Sequence, residues 1–303
     1  MGGGRVAEAG PAERLVAAGG LTVYGRDWGG AGRPIALVHG LASNARIWDL
    51  VAPRLIAHGR VIAFDQRGHG RSGKPDTGYD ARTVAADLHA ALAQLAPPAS
   101  TVVVGHSWGA TVALQWAADF PGEVAGVVCV DGGLGGWDLD PALTWDRLLQ
   151  RLSPPRLNGV PAARLLGQIR QGRLGEVWSD AVEAAVLGNF ERHGDGTVAP
   201  RLTRERHLAI LRSMWEQPVV GLYPRVRCPA RFLMVRHDGD SERAALSERA
   251  AARARVALAD VQIVWLDDTI HDVPLHRPAA VAEAIAAFLA ALPPGAGPAG
   301  GGR

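Results

Sequence analysis

The chain has 303 residues, of which 20% are charged and 48% hydrophobic, and its formal net charge at pH 7 is +2. This balance is typical of a globular protein that buries an ample core in one large domain or two. Because charges of both signs are dispersed, the sequence predicts neither a nucleic-acid groove nor a membrane-binding face. No apolar run follows Met1, so we expect no signal peptide or anchor and a cytoplasmic protein.

The first strong pattern is a short apolar run, Pro34 to Val38, which predicts a buried strand. His39 and Gly40 follow it and indicate a tight turn, where glycine lets the backbone direct an amide at a reacting carbonyl. We therefore predict that the backbone N–H of Leu41 is one donor of an oxyanion hole. His39 is a candidate residue of the substrate pocket. The simpler alternative is a tight turn without a catalytic role.

A glycine-rich segment follows the next predicted strand, Val61 to Phe64. Its residues, Gly68 to Gly73, match the G-x-G-x-x-G pattern of dinucleotide-binding proteins. Such a site needs a helix that begins at once, so that the helix N-terminus faces the pyrophosphate. Here the loop-forming segment Lys74 to Gly78 intervenes, and a helix is predicted only from about Ala81. We interpret the motif as a tight turn and expect no nucleotide cofactor.

The most informative segment is Gly105-His106-Ser107-Trp108-Gly109. It lies between the apolar run Thr101 to Val104 and the helix-compatible stretch Ala110 to Ala118. A G-x-S-x-G sequence at a strand-to-helix junction puts the serine on a sharp turn, with its hydroxyl exposed above the sheet. We therefore predict Ser107 as a nucleophile and the N–H of Trp108 as the second oxyanion donor. The alternative is an ordinary strand–turn–helix that carries a serine.

Acidic residues follow two later predicted strands. Val124 to Val130 ends at Asp131, and Arg231 to Val235 is followed by Asp238 and Asp240. A carboxylate at either place could orient a catalytic imidazole and stabilise its cation. Asp240 is the first candidate for this role, Asp131 the second and Asp238 the third. The alternative for Asp131 is a turn residue that closes its strand before two glycines.

The last predicted strand, Val261 to Leu266, leads through a short acidic loop to His271. A helix from about Ala279 to Leu289 follows, with Pro278 suited to its start. A histidine on the loop after the last strand can reach back over the strand ends to the serine, as a general base must. His271 is therefore the predicted base among the ten histidines of the chain.

The pattern changes between the two groups of strands. From Gly135 to about Leu222, helical segments rich in Arg, Glu and Trp replace the apolar runs. This change predicts an inserted helical cap over the strand ends, where open α/β sheets bind ligands. Trp137 and Trp215 are candidate pocket residues, although tryptophans on helices more often pack the helices together.

These motifs resemble those of the α/β-hydrolase superfamily. The likeness is carried by Leu37-Val38-His39-Gly40, by Asp65 to Ser72, by the pentapeptide around Ser107 and by Ile270-His271. The resemblance implies an α/β-hydrolase fold: an eight-stranded, mostly parallel sheet flanked by helices, with an inserted helical cap. It also implies a Ser-His-acid triad and no cofactor or metal for the chemistry.

The patterns divide the chain into four predicted parts. They are a disordered N-terminal extension (1–20), a hydrolase core (21–133 and 224–292), a helical cap (134–223) and a disordered tail (293–303). The extension and the tail are assigned because they are rich in glycine and alanine or in proline and glycine.

The predicted function is hydrolysis of carboxylic esters or lactones through an acyl-enzyme. Superfamily enzymes with aspartate in place of Ser107 act as haloalkane dehalogenases or epoxide hydrolases, so the serine argues against both. C–C bond hydrolysis and perhydrolysis on the same triad stay open, as does a small-molecule receptor of hydrolase-like fold. The aromatic cap indicates a small apolar or aryl substrate; we expect no nucleic-acid or membrane partner, and a homo-oligomer is left open.

Overall fold

The structure is a computed structural model that describes residues 10–236 and 241–293. In chain order its strands are β1 (Ala12–Ala18), β2 (Leu21–Gly29), β3 (Pro34–Val38), β4 (Arg60–Phe64), β5 (Thr101–His106), β6 (Val124–Val130), β7 (Val160–Pro161), β8 (Phe190–Arg192), β9 (Thr197–Pro200), β10 (Ala230–Val235) and β11 (Val261–Leu266). Its α-helices are α1 (Ala81–Leu95), α2 (Trp108–Asp119), α3 (Trp145–Leu152), α4 (Ala162–Arg170), α5 (Asp180–Leu187), α6 (Arg204–Glu216), α7 (Ser241–Ala257), α8 (Val273–His276) and α9 (Pro278–Ala291).

Eight of the described strands form one sheet, in the order β1-β2-β4-β3-β5-β6-β10-β11. Strand β2 is antiparallel to both of its neighbours, and the pairs from β4 through β11 are all parallel. Strand β3 pairs with β4, and β5 pairs with β6. In each of these parallel pairs the connecting segment returns along the outside of the sheet, as parallel pairing requires. The carboxyl ends of β3, β5, β6, β10 and β11 therefore meet at one edge.

Successive side chains along a central strand point alternately into two hydrophobic cores, one on each face of the sheet. In β10, Phe232 and Met234 belong to one core and Leu233 and Val235 to the other. Side chains of a strand point to opposite faces in turn, so continuous apolar runs are the pattern of a sheet that is covered on both sides. Helices α1, α2 and α7 pack on the first face, and α9 packs on the second.

The segment between β6 and β10 holds helices α3 to α6, and it contacts loops at the carboxyl ends of the parallel strands. Asn44, after β3, donates a hydrogen bond of 2.6 Å to Asn189 of this segment. Arg206 of α6 donates one of 3.1 Å to the carbonyl of Pro75, in the loop after β4. The predicted fold is confirmed, including a helical insertion over this edge of the sheet.

Two features of the fold differ from the expectation. The insertion also contains a small antiparallel sheet, β7-β9-β8, whose strands of two to four residues are too short to show a period in the sequence. Within the predicted disordered extension, the structure instead forms β1, which pairs with β2 through seven residues. Val16 and Ala18 of β1 are buried, while Leu15 is 66% exposed. The strand therefore has too few buried apolar residues to be recognised from its sequence pattern.

The first nine residues and 294–303 of the predicted tail lie outside the described residues. Among the helices that are described, none combines the length and the apolar character needed to cross a membrane.

Candidate active site

Ser107 occupies the sharp turn between β5 and α2. Its backbone has φ 55° and ψ −121°, a conformation that costs a non-glycine residue about 1–3 kcal/mol and persists only where its surroundings impose it. The flanking glycines permit the close packing. A Cβ on Gly109 would lie 2.5 Å from the carbonyl oxygen of Val38, and one on Gly105 would collide with the carbonyl of Gly109. The turn therefore holds the serine hydroxyl beyond the end of β5.

His271 lies on the loop after β11 and joins Ser107 to Asp131. Its Nδ1 is 2.6 Å from Oδ2 of Asp131, and its Nε2 is 2.8 Å from Oγ of Ser107. Because a carboxylate only accepts hydrogen bonds, Nδ1 carries the proton and Nε2 presents its lone pair to the serine hydroxyl. These contacts place a carboxylate, an imidazole and a hydroxyl in the order that a catalytic triad requires.

Asp131 lies directly after β6 and is 8% exposed. Its second oxygen, Oδ1, accepts a hydrogen bond of 3.0 Å from the backbone amide of Val235, at the end of the adjacent strand β10. A Cβ on the next residue, Gly132, would collide with the carbonyl oxygen of Ser107. Asp131 is thus held between β10 and the serine turn. Asp238 and Asp240, the other two candidates for the acid, lie outside the described residues.

The pKa values of the base and its carboxylate move in opposite directions. Desolvation acts to lower the pKa of His271, but the hydrogen bond and charge of Asp131 outweigh it and raise that pKa above its ordinary value. Burial acts to raise the pKa of Asp131, but its bonds to His271 and the Val235 amide hold that pKa below its usual range. Each ionised partner therefore stabilises the charge of the other, as a base that accepts a proton beside a carboxylate requires.

Two backbone amides next to Ser107 are available to bind an oxyanion. Within residues 10–236 and 241–293, the N–H groups of Leu41 and Trp108 donate no hydrogen bond to the protein. Trp108 begins α2, so its amide belongs to the unsatisfied N-terminal turn of a helix, which favours negative charge. Gly40 lets the Leu41 loop approach, since a Cβ there would lie 2.9 Å from Cβ of Ser107. Both predicted donors thus flank the serine.

His106, which precedes the nucleophile, was not among the predicted site residues. Its Nε2 lies 2.7 Å from the carbonyl oxygen of His271, to which it must donate. Burial lowers the pKa of His106 to about 4, and the neighbouring His271 acts in the same direction. A neutral imidazole thus holds the backbone of the base. Its place in the G-x-S-x-G pentapeptide was the available signal, but the sequence alone does not show which way the ring points.

The three predicted pocket residues differ in placement. His39 is fully buried, and its Nε2 accepts a 3.1 Å hydrogen bond from the Gln66 amide, so it packs under the loop and does not line a pocket. Trp215 on α6 packs against Trp145, with ring centroids 6.0 Å apart. Trp137 lies partly buried in a short 3₁₀ turn after β6. For neither tryptophan does the structure give a contact with Ser107 or His271.

A cavity of about 290 Å³ lies between the insertion and helices α1 and α2. Its lining includes Trp108, Thr111 and Gln115 of α2 and Met214 and Leu222 of the insertion. Trp108, the residue after Ser107, therefore adjoins the cavity. Among the described residues, no cluster of His, Cys, Asp and Glu has the arrangement of a metal site.

Curated relatives match between about a third and two fifths of this chain. A non-heme chloroperoxidase of Streptomyces lividans is 43% identical over 114 residues, which are 37% of this chain and 41% of that protein. A 2-(acetamidomethylene)succinate hydrolase of Mesorhizobium japonicum is 38% identical over 118 residues, 39% of this chain and 42% of that protein. A soluble epoxide hydrolase of a Corynebacterium species is 41% identical over 90 residues, 30% of this chain and 31% of that protein. The chain thus spans less than half the length of these relatives.

The similarity to solved structures extends over the whole fold. The crystal structure of E-2-(acetamidomethylene)succinate hydrolase superposes with a TM-score of 0.72 at 26% identity, over 93% of this chain and 100% of that one. A sequence model of the alpha/beta hydrolase family matches residues 35–284, from β3 into α9. With its eight-stranded sheet and serine turn, this chain belongs to the alpha/beta hydrolase family.

Proposed function

We propose that this protein is a serine hydrolase that cleaves carboxylic esters or lactones through an acyl-enzyme. The observation that carries the proposal is the continuous set of hydrogen bonds from Ser107 through His271 to Asp131. A hydroxyl is a weak nucleophile until an adjacent base accepts its proton, and here the base is itself held by a carboxylate.

In the first half of the reaction, Ser107 Oγ attacks the carbonyl carbon while its proton passes to Nε2 of His271. The carbonyl oxygen becomes an oxyanion that accepts hydrogen bonds from the amides of Leu41 and Trp108. As the tetrahedral intermediate collapses, the C–O bond breaks and His271 protonates the leaving alcohol. Asp131 stabilises the imidazolium throughout, since it stays ionised beside it.

In the second half, water attacks the acyl ester of Ser107 and His271 takes its proton. A second oxyanion forms at the same two amides, and its collapse releases the carboxylic acid and returns the proton to Ser107. His271 is accessible to water in the free enzyme, because 48% of its side-chain surface is exposed. The same geometry therefore serves acylation and deacylation.

The nucleophile separates this proposal from the chemistry of one relative. Epoxide hydrolysis in this superfamily uses a carboxylate nucleophile that forms an alkyl-enzyme ester, whereas the elbow here carries Ser107. The likeness to the Corynebacterium soluble epoxide hydrolase therefore supports a shared scaffold, but it does not support epoxide hydrolysis by this protein.

The names of several relatives favour a second candidate, perhydrolysis on the same triad. Three relatives are 38–43% identical over their matched segments. They are a non-heme chloroperoxidase of Streptomyces lividans, a protein of a Synechocystis species named as a putative non-heme chloroperoxidase, and a non-heme haloperoxidase of Rhodococcus erythropolis. In that reaction hydrogen peroxide replaces water as the attacker of the acyl ester, and a peracid leaves instead of the acid.

An amide is a further substrate type to test, since relatives are named as 2-(acetamidomethylene)succinate hydrolases.

The proposal is tested with p-nitrophenyl esters of graded acyl length, which report both ester cleavage and the acyl size that the site accepts. Ser107→Ala is expected to lower kcat by about 10⁶-fold, as loss of a triad serine does. Ser247→Ala, on the surface helix α7, is the matched control and should keep full activity. Thermal unfolding of both variants checks the fold. Full activity of the Ser107 variant would refute the mechanism; cleavage only in the presence of peroxide would favour the second candidate.

A further inference from the structure

The turn after β4 places His69 between the two backbone segments that carry the oxyanion amides. We propose that His69 is a positioning residue, which holds the Leu41 and Trp108 amides in place without touching the substrate. This role rests on the proposed serine-hydrolase function. It also gives a purpose to the Gly68 to Gly73 turn, which the triad does not use.

The contacts of His69 fix which ring nitrogen carries the proton. Its Nδ1 lies 3.0 Å from the carbonyl oxygen of Arg67, which can only accept, so Nδ1 is protonated. Its Nε2 then presents a lone pair and accepts a hydrogen bond of 3.3 Å from the backbone amide of Ala42. His69 is 1% exposed, and burial, aided by the neighbouring His39, lowers its pKa to about 3. The ring is therefore a neutral acceptor near neutral pH.

The Ala42 contact controls the neighbouring oxyanion donor. Ala42 has φ 56°, in the left-handed region that a residue with a side chain adopts at a cost unless it is held there. The bond to His69 fixes the peptide plane between Leu41 and Ala42. On its other side Leu41 follows Gly40, which packs against Ser107. The Leu41 amide is thus set from both sides, and His69 supplies one of them.

The second donor is held by packing. The His69 ring stacks on the indole of Trp108, with centroids 5.9 Å apart and planes at 29°. Trp108 is 2% exposed, so its side chain anchors the first residue of α2, whose amide is the donor. One ring therefore contacts a residue of each donor segment.

The turn that carries His69 is itself braced. Asp65, at its start, accepts hydrogen bonds of 2.7 Å from the amides of Ala45 and Arg71. Ser72, near its end, donates one of 2.6 Å to the carbonyl of Asp65. The bonds of Arg71 and Ser72 close the turn on itself, and the Ala45 bond ties it to the segment after β3. A side chain on such a support can set the position of another group to within the tolerance that catalysis needs.

Two substitutions separate a positioning role from a purely structural one. In His69→Asn, the side-chain amide can still donate to Arg67, but no acceptor reaches Ala42. In His69→Gln, the longer side chain can place an oxygen where Nε2 was. Misplacement of a catalytic group by about 1 Å can cost about 10²-fold, so we expect kcat to fall by about that factor in His69→Asn with KM little changed. His69→Gln should recover most of the loss.

The experiment measures kcat and KM on a p-nitrophenyl ester, together with the rate at which a fluorophosphonate labels Ser107. His89→Asn, on α1 beside Phe120, is the control and should keep both rates. Equal losses in the Asn and Gln variants, or full kcat in the Asn variant, would overturn the role of His69. A wild-type enzyme that neither cleaves esters nor reacts with the fluorophosphonate would instead refute the proposed function itself.

A second measurement does not depend on the Asn variant folding. In wild-type protein labelled with ¹⁵N-histidine, the His69 signal should show a neutral ring protonated at Nδ1 from pH 5 to 9. Assignment uses the signal that disappears in His69→Gln. A ring protonated at Nε2 could not accept from Ala42 and would overturn the proposal.

Discussion

At the residue scale, the site depends on which carboxylate faces His271. Asp131 bonds to its Nδ1 at 2.6 Å and is supported in turn by the Val235 amide. A carboxylate in this place keeps the imidazole in one tautomer and stabilises the cation that forms during catalysis. Asp240, the first candidate from the sequence, lies outside the described residues, so the comparison of the two aspartates is an experimental one.

We expect Asp131→Asn to lower kcat by about 10⁴-fold, because an amide can hold the imidazole in the wrong tautomer. Asp240→Asn is the matched control, and we expect it to keep kcat within a few fold. Both are measured on the ester that the wild type cleaves best. Loss of activity in the Asp240 variant alone would assign the acid to Asp240 and contradict the present proposal.

We also expect the pH dependence of kcat/KM to differ between Asp131→Asn and Asp240→Asn. The base must be neutral, so kcat/KM rises as the pH rises through the pKa of His271, which Asp131 holds above its ordinary value. Without the Asp131 charge, desolvation dominates and the pKa of His271 falls. The acidic limb of the kcat/KM profile should therefore move to lower pH in Asp131→Asn and stay in place in Asp240→Asn. An unmoved limb in the Asp131 variant would contradict the assigned cause.

At the scale of elements, the turn between β5 and α2 shows how packing constrains sequence. Gly109 lies in the first turn of α2, where the helix passes against the backbone of β3 and the residue after it. A side chain at this place meets carbonyl oxygens of the backbone, which cannot rotate away as a side chain can. The glycine is therefore required by close approach and not by its own φ.

We expect Gly109→Ala to lower the free energy of unfolding by about 1–3 kcal/mol, the usual cost of overpacking a well-packed interior. Gly167 on α4 is the control, since a Cβ there would meet nothing within 4 Å. Gly167→Ala should be neutral or stabilising by up to about 1 kcal/mol, because alanine favours helix. Urea unfolding measures both. Equal effects in the two variants would show that the backbone approach at Gly109 is not limiting.

At the scale of the whole molecule, polar contacts join the insertion between β6 and β10 to the loops of the sheet, in addition to its apolar packing against both cores. Arg206 donates to the carbonyls of Pro75 and Lys74 at 3.1 and 2.9 Å and pairs with Asp76. These contacts join α6 to the loop after β4. Such charge-assisted bonds to carbonyls are stronger than neutral ones, so they contribute to keeping the insertion over the site.

Removal of this attachment by Arg206→Ala should weaken the association of the insertion by roughly 1–2 kcal/mol. Amide exchange in residues 134–223 is then expected to quicken by about 5- to 30-fold, with little change in the sheet. Arg204→Ala is the control, because Arg204 bonds to Pro154 within the same insertion. Hydrogen exchange with mass spectrometry measures both. Faster exchange throughout the sheet would contradict the idea of a separately attached segment.

Local patterns were enough to predict most of the sheet. The runs at Pro34 and Val124 mark strands that begin at those residues, because a strand buried on both faces must be apolar throughout. The run at Val261 also marks a strand, but it is the half-exposed edge strand β11. They were not enough for β1 or for the short sheet of the insertion. Those strands are short or carry few buried apolar residues, and they form through hydrogen bonds to neighbours that only the fold brings near.

By itself, the sequence determined the family scaffold, the candidate nucleophile Ser107 and the candidate base His271, because each follows a strand at a spacing that local geometry dictates. The tertiary structure alone brought Asp131 to His271, buried His39 and placed His69 between the oxyanion segments. The physical reason is the sheet order. Strands β6, β10 and β11 are neighbours whose carboxyl ends share an edge, so a position after β6 and one after β10 are both compatible with a carboxylate that reaches His271. Chain order alone does not choose between them, and the contact of Asp131 with His271 exists only in the folded chain.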